Sequence, residues 1–284
     1  MEHATGGHRA VFRRWRAGPG RAQGAWSRLS RGSAATVVVA LLAWGAPVAA
    51  QVNTESFRGS GVQDGVSGSV ELSFANRTGN TDLLEGGAGV RVGWRGGPRM
   101  VLVVGDLSVG KVRDGTTINR GFLHLRGGRD LNARVMAEGF VQHEYDKFAR
   151  LSARTLVGAG PRLTLHRSKG FTAHLGLSLM AERERLDVPA GGPDPRTETV
   201  ARASTYLALS AAPAERVGLV NTVYVQPRLG EPDDLRVLEE AALKVGVAGP
   251  VSLKVSVTVR YDGAPPVGVK PLDTDVSNRL VWDF

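Results

Sequence analysis

Val251-Ser252-Leu253-Lys254-Val255-Ser256-Val257-Thr258-Val259-Arg260-Tyr261 is the stretch that decides the fold. Val251, Leu253, Val255, Val257, Val259 and Tyr261 share one parity; Ser252, Lys254, Ser256, Thr258 and Arg260 share the other. Successive side chains of a strand point to opposite faces, so this run is a strand with one apolar and one polar face. The alternation continues on both sides of it. In 171–182, Phe171, Ala173, Leu175, Leu177 and Leu179 oppose Thr172, His174, Ser178 and Glu182. At the end of the chain, Leu272, Val276, Leu280, Trp282 and Phe284 oppose Asp273, Asp275, Ser277, Arg279 and Asp283.

From Gly65 onward no helical period is sustained. Turn chemistry divides the alternating runs into about twelve expected strands, near 66–77, 82–95, 99–112, 116–127, 132–146, 149–165, 170–186, 197–211, 215–227, 235–248, 251–262 and 272–284. Strands of globular proteins usually run to ~5–6 residues. Most of these are about twice that, the length a tilted strand needs to cross the ~9–11 residues of a bilayer core. The connections sort by parity as well. Those at 95–98, 128–131, 167–169, 213–214 and 249–250 are short, and the long ones at 187–196, 228–234 and 263–271 all fall in the other set. Short periplasmic turns alternating with longer outer loops are the pattern of an up-and-down barrel in an outer membrane. The expected fold is therefore an all-β, transmembrane, antiparallel barrel.

Lipid offers no hydrogen-bond partners, so only a closed sheet satisfies every backbone group there. The polar parity then faces the lumen. The reverse would put Lys254, Arg260 and Arg279 in hydrocarbon, at ~2–4 kcal/mol for each basic residue near the midplane. Trp94, Tyr145, Phe171, Tyr261 and Trp282 lie on the apolar parity at strand ends, where an interfacial girdle belongs. A soluble barrel or sandwich would alternate too, with the apolar parity turned inward.

The 284-residue chain carries a formal charge of +9, which on its own resembles that of a nucleic-acid binder. Seven arginines and one acid, Glu2, lie within residues 1–50, so the excess sits on the leader and not on the folded part. Nucleic-acid binding is excluded on that ground. Arginine-rich sequence, an apolar run from Ala34 to Trp44 and Pro47-Val48-Ala49-Ala50-Gln51 follow one another as in a cleaved secretory signal peptide. The expected organisation is a basic region with signal peptide at 1–50, a short periplasmic segment at 51–64 and the barrel at 65–284. With no cysteine, disulfides, thiolate zinc sites and a lipid-modified N-terminal cysteine are ruled out.

The closing Leu280-Val281-Trp282-Asp283-Phe284 looks like the assembly signal of outer-membrane barrels, with Trp282 and Phe284 read by the barrel-insertion machinery. A more specific resemblance is carried by Val52-Asn53-Thr54-Glu55-Ser56, the Gly79-Asn80-Thr81 turn, Asn119-Arg120-Gly121-Phe122-Leu123-His124-Leu125-Arg126 and Ala137-Glu138-Gly139-Phe140-Val141-Gln142. It continues through Tyr145-Asp146-Lys147-Phe148, Pro265-Pro266-Val267-Gly268-Val269-Lys270 and Asp273-Thr274. Together these resemble the YdiY-like family (domain of unknown function 481), whose members are often labelled salt-induced outer-membrane proteins. The resemblance implies an outer-membrane barrel and a link to salt stress, and supplies no catalytic residues.

The candidate lumen-lining residues are Arg120, His124, Arg126, Glu138, Arg154, His174, Glu182, Arg202, Lys254 and Arg260, with both signs interspersed. Glu71, Arg91, Asp106, Arg134, Glu144, Arg162, Glu240 and Lys244 share their parity. Such a set either fills the barrel as a paired network or lines a narrow aqueous path. His124, Glu138 and His174 lack metal-site spacing. Ser178 and His174, four residues apart on one strand, lie ~13 Å from each other and form no dyad. The sequence therefore carries no catalytic, cofactor or metal site. Tyr145–Arg150 reads as a tight outer turn, and Pro265-Pro266-Val267-Gly268 as a stiff loop that shields the mouth or only connects strands. The expected function is a structural barrel or narrow channel linked to envelope stress, partnered by the lipid bilayer and lipopolysaccharide. An enzyme acting on lipid or lipopolysaccharide and a binding module built on the outer loops are the alternatives.

Overall fold

The computed structural model describes residues 64–77, 83–112 and 117–284. The expected signal peptide and pre-barrel segment, and residues 78–82 and 113–116, lie outside them. Twelve strands follow in order: β1 (Gly65–Arg77), β2 (Leu83–Gly96), β3 (Arg99–Val112), β4 (Thr117–Asp130), β5 (Val135–Asp146), β6 (Leu151–Ser168), β7 (Phe171–Leu186), β8 (Thr197–Ala214), β9 (Val217–Arg228), β10 (Glu231–Ala248), β11 (Val251–Asp262) and β12 (Leu272–Asp283). Each pairs antiparallel with its neighbour in sequence, and β12 closes on β1 to make a barrel. All twelve expected strands are present. The start of β1 and the end of β12 lie at the same end of the barrel, here the terminal end, with the turns at 97–98, 131–134, 169–170, 215–216 and 249–250. The opposite, loop end carries 147–150, 187–196, 229–230 and 263–271.

Burial is inverted relative to a water-soluble protein. Along β11, Lys254 is 7% exposed while its neighbour Leu253 is 45% exposed. Ser252, Ser256 and Thr258 are buried as well, and Tyr261 faces out. The same holds around the wall, where Leu72, Val90, Leu107, Leu123, Val141, Leu179, Leu243 and Leu280 all lie exposed. Soluble monomers rarely expose continuous apolar patches beyond a few hundred Å², whereas a closed sheet with an apolar outside and a polar inside suits hydrocarbon. Trp94, Phe171, Trp282 and Phe284 face outward near the terminal end, Tyr261 near the loop end.

The closing seam is short among the described residues. β1 and β12 share the register pairs Ser69↔Asp283 to Leu72↔Leu280, extended by reciprocal bonds of 2.8 and 2.9 Å between Gly68 and Phe284. The Phe284 ring lies over Gly68, where a Cβ would come within 2.6 Å of it. Glycine is thus required for the terminal aromatic to pack at the seam.

Three expectations need correction. The connection expected at 228–234 is only 229–230; β10 starts at Glu231, and its register shifts between Glu231 and Leu235. Pro232 has no N–H to give the ladder, so the chain bulges there instead of looping out. Arg134 is in the β4–β5 turn and not on a strand. Finally, the lumen is not uniformly polar: Met100, Leu102, Val104, Phe122 and Met136 form a buried apolar cluster on its wall. Met100-Val101-Leu102-Val103-Val104 is apolar on both parities, so alternation marks no inner face in that run. The outer wall has a converse exception. Asn221 donates a 3.1 Å hydrogen bond to the outward carboxylate of Glu239, and the two polar groups satisfy each other.

Candidate functional site: the barrel lumen

All ten candidate residues sit on the lumen parity of their strands. They divide into a terminal-end cavity, a packed belt and a loop-end lattice of charges. The terminal-end cavity measures about 810 Å³ and is walled by the ends of β2 to β8. His174 lies here, its Nδ1 3.4 Å from Thr164 Oγ1, with Arg162 deeper in and 3.9 Å from Glu138.

Above it side chains of β4 to β10 pack into the lumen. Arg126 on β4 bonds Glu138 on β5 at 3.2 Å, and the Tyr206 hydroxyl on β8 donates to the same carboxylate at 3.1 Å. The Arg126 guanidinium also lies over the Phe140 and Tyr206 rings, at 5.5 and 5.7 Å from their centroids. His124 is sandwiched between Phe122 and Phe140, with ring centroids 6.1 and 5.7 Å away. Its Nε2 lies 3.2 Å from Arg126 Nε, which can only donate. Nδ1 must then carry the proton and donate to Gln142 Oε1 at 3.1 Å. Both ring nitrogens are engaged and the residue is buried, so His124 acts here as a polar filler. Tyr206, Tyr224 and Leu238 complete the belt, which encloses a void of about 40 Å³, little more than one water.

At the loop end the charges pair across strands. Arg236 reaches Glu182 at 2.6 Å, Glu184 at 3.0 Å and Asp262 at 3.2 Å. Arg202 bridges Glu182 at 3.3 Å and Asp234 at 2.8 Å, and Arg154 pairs with Glu144 and Glu184. The pairing continues on the facing wall down toward the terminal turns, where Lys254 meets Glu71 at 3.3 Å and Arg279 pairs with Asp106; nearer the loops Arg120 meets Glu85 at 3.2 Å. Arg260 is surrounded by Glu240, Asp273, Asp275 and Arg120. Buried charges persist when each has partners of opposite sign, and this lattice supplies them.

The mouth above the lattice is roofed. Asp146 Oδ1 accepts from the Phe148 and Ala149 amides at 2.9 and 3.3 Å, which caps the β5–β6 turn and leaves Arg150 at φ 56°. Arg150 donates to the Val267 carbonyl at 3.4 Å, and the Val267 amide donates to Asp194 at 3.0 Å. The β5–β6 and β11–β12 hairpins stand six strands apart in the ring, so the proline loop crosses the mouth to reach Arg150. It covers a chamber of about 360 Å³ that Pro265 and Pro266 help to line.

Arg236, Glu184, Asp234, Asp262, Phe140 and Tyr206 were not among the sequence candidates. Arg236 fell beside the expected 228–234 loop, although its parity matches Glu240. Tyr206 and Phe140 depend on Gly176 and Gly158, whose added Cβ atoms would meet those rings at 1.9 and 2.5 Å. A glycine opposite an aromatic on the adjacent strand is a signal that could have exposed them. Ser178, considered for catalysis, donates to the Ser204 carbonyl at 3.1 Å. Among the described residues no three His, Cys, Asp or Glu side chains gather around a common point to hold a metal.

A family model described as "Protein of unknown function, DUF481" matches residues 70–284. No curated protein sequence matches the chain. Among solved structures, the chain is similar to the translocator domain of the autotransporter NalP from Neisseria meningitidis, at 13% identity over 77% of this chain and 87% of that one, with a TM-score of 0.44. The NanC porin aligns at 6% identity over 76% of this chain and 98% of its own, TM-score 0.47. A KdgM porin in complex with disordered oligogalacturonate aligns at 6% identity over 77% and 98%, TM-score 0.37. At such identities these are likenesses of architecture.

Proposed function

The chain belongs to the DUF481 family, whose description assigns no activity, and we propose that it is an outer-membrane barrel with a narrow aqueous path that is closed at rest. One observation carries this: between the terminal-end cavity and the loop-end chamber, side chains of β4 to β10, among them Arg126, Glu138 and Tyr206, pack into the lumen and leave a void of only about 40 Å³ among themselves. The terminal end faces the periplasm and the roofed end the exterior, in keeping with short turns at one end and longer loops at the other. Cleavage of a signal peptide, recognition of Trp282 and Phe284 by the insertion machinery, and contact with lipopolysaccharide belong to the same proposal. Support for the second is that both side chains are 60% exposed on the outer wall, where another protein can reach them. The role is non-catalytic; in its favour, His124 and Ser178 are tied into hydrogen bonds with the barrel. The link to salt or envelope stress rests on the family resemblance and is tested by following protein level after an osmotic upshift.

Planar-bilayer recording tests the central part. Folded protein should give rare, small conductance steps. A large, steadily open conductance would overturn the proposal, since a persistent belt cannot pass it.

A further inference from the structure

We propose that the terminal-end cavity is a binding site for small oxyanions, solutes bearing a phosphate or carboxylate group. Arg95, Arg134, Arg162 and Arg167 line it, and the acid facing them is Asp130. Arg95 holds Asp130 at 2.8 Å, which leaves Arg134 and Arg167, both exposed at the rim; Arg162 adds a further guanidinium, buried in depth. Arg162 lies 3.9 Å from Glu138. Thr164, Ser210 and His174 add further hydrogen-bonding groups.

The loop-end chamber is the internal contrast. Glu182, Glu184, Asp194, Glu198 and Asp234 there outnumber Arg202, Arg228 and Arg236, and each of those arginines is held by a carboxylate. Of the two chambers the terminal-end one thus carries the excess of positive charge, with Arg162 set inside low-dielectric walls that focus its potential. Guanidinium forks match the planar, two-oxygen geometry of carboxylates and phosphates. A cavity of about 810 Å³ falls within the ~300–1,000 Å³ usual for small-molecule sites. Inorganic phosphate, a sugar phosphate or a uronate fits this description; a cation does not.

Calorimetric titration of the folded barrel in neutral detergent tests the site, with sodium phosphate, glucuronate and glucose as probes. Phosphate and glucuronate should bind, more weakly as salt is raised, and glucose should give no heat. R134Q/R167Q, at exposed rim positions, should weaken phosphate binding about tenfold, whereas E198Q in the other chamber should not. Arg162→Gln should weaken it further; if that variant fails to show heat-modifiable migration, the rim pair carries the test alone. Equal heat from glucose, or unchanged affinity in R134Q/R167Q, overturns the proposal. Adding phosphatidylglycerol to the micelles tells the sources apart: lost phosphate heat identifies a lipid headgroup as occupant, and unchanged heat a soluble solute. The site does not require the belt to conduct. Phosphate heat on a barrel whose bilayer recordings contradict the closed path leaves the site standing, and a closed barrel without phosphate heat removes the site alone.

Discussion

The Tyr206 hydroxyl on β8 donates a 3.1 Å hydrogen bond to Glu138 on β5, joining residues 68 apart in sequence and three strands apart in the ring. The ring reaches that far because Gly176, its register partner on β7, has no side chain beneath it. The bulk of the Tyr206 ring, with the Arg126–Glu138 pair beside it, narrows this part of the lumen.

Removing the tyrosine should therefore open the path. Tyr206→Ala is expected to raise single-channel conductance severalfold over the wild type, while Tyr206→Phe keeps the ring and changes it little. Gly176→Ala puts a methyl where the ring now lies, and overpacking of this kind costs about 1–3 kcal/mol. A lowered urea midpoint for refolding into vesicles, with conductance raised as in Tyr206→Ala, is the expected result.

The loop-end lattice should be sensitive to loss of one sign. Arg236 serves Glu182, Glu184 and Asp262 together, so Arg236→Met leaves three carboxylates short of a partner. Breaking a buried pair by deleting one member costs on the order of 3–5 kcal/mol. Equilibrium unfolding in vesicles should register a loss of that order; a change under about 0.5 kcal/mol, the range of surface substitutions, would mean the lattice is already hydrated.

The roof offers a covalent test, because the chain has no cysteine of its own. The Val267 amide bonds the Asp194 side chain at 3.0 Å, so a short, reducible bis-methanethiosulfonate reagent should bridge the cysteines of D194C/V267C. The crosslinked form is expected to show fewer openings than its reduced form. Failure to crosslink in folded protein would mean that the loop does not lie across the mouth.

Outside the barrel, His143, Thr155, Arg183 and Thr199 stand in register across β5 to β8, and His143 bonds Thr155 at 3.0 Å. Arg183 and Arg185 are exposed there, loopward of the apolar Leu177 and Leu179. If the loop end faces the outer leaflet, R183Q/R185Q should lower the lipopolysaccharide retained through purification; unchanged retention would contradict that contact.

The wall was legible in the sequence because its signal is local: each residue of 251–261 declares its face by parity. β3 was less so, since Met100–Val104 is apolar on both faces and only its neighbours orient it. Arg236 lay on the expected strand 235–248, but beside Pro232 and two aspartates that imitate a loop; the strand continues back through a bulge. Parity alone does not show that three carboxylates meet Arg236. The belt was not readable at all, and the roof only as one of two readings of the proline loop, which shields the mouth or merely connects strands. Both depend on which residues meet across the lumen, and that follows from register around the closed ring.

The most direct measurement places a spin label at Ser256→Cys and, separately, at Val257→Cys in the barrel reconstituted in bilayers, and compares accessibility to oxygen with accessibility to a water-soluble nickel complex. Position 257 should favour oxygen and exclude nickel, as a lipid-facing site does, and position 256 should be shielded from oxygen. If 257 is shielded and 256 is open to nickel in bulk water, the valine rows form an ordinary interior and the membrane barrel is wrong.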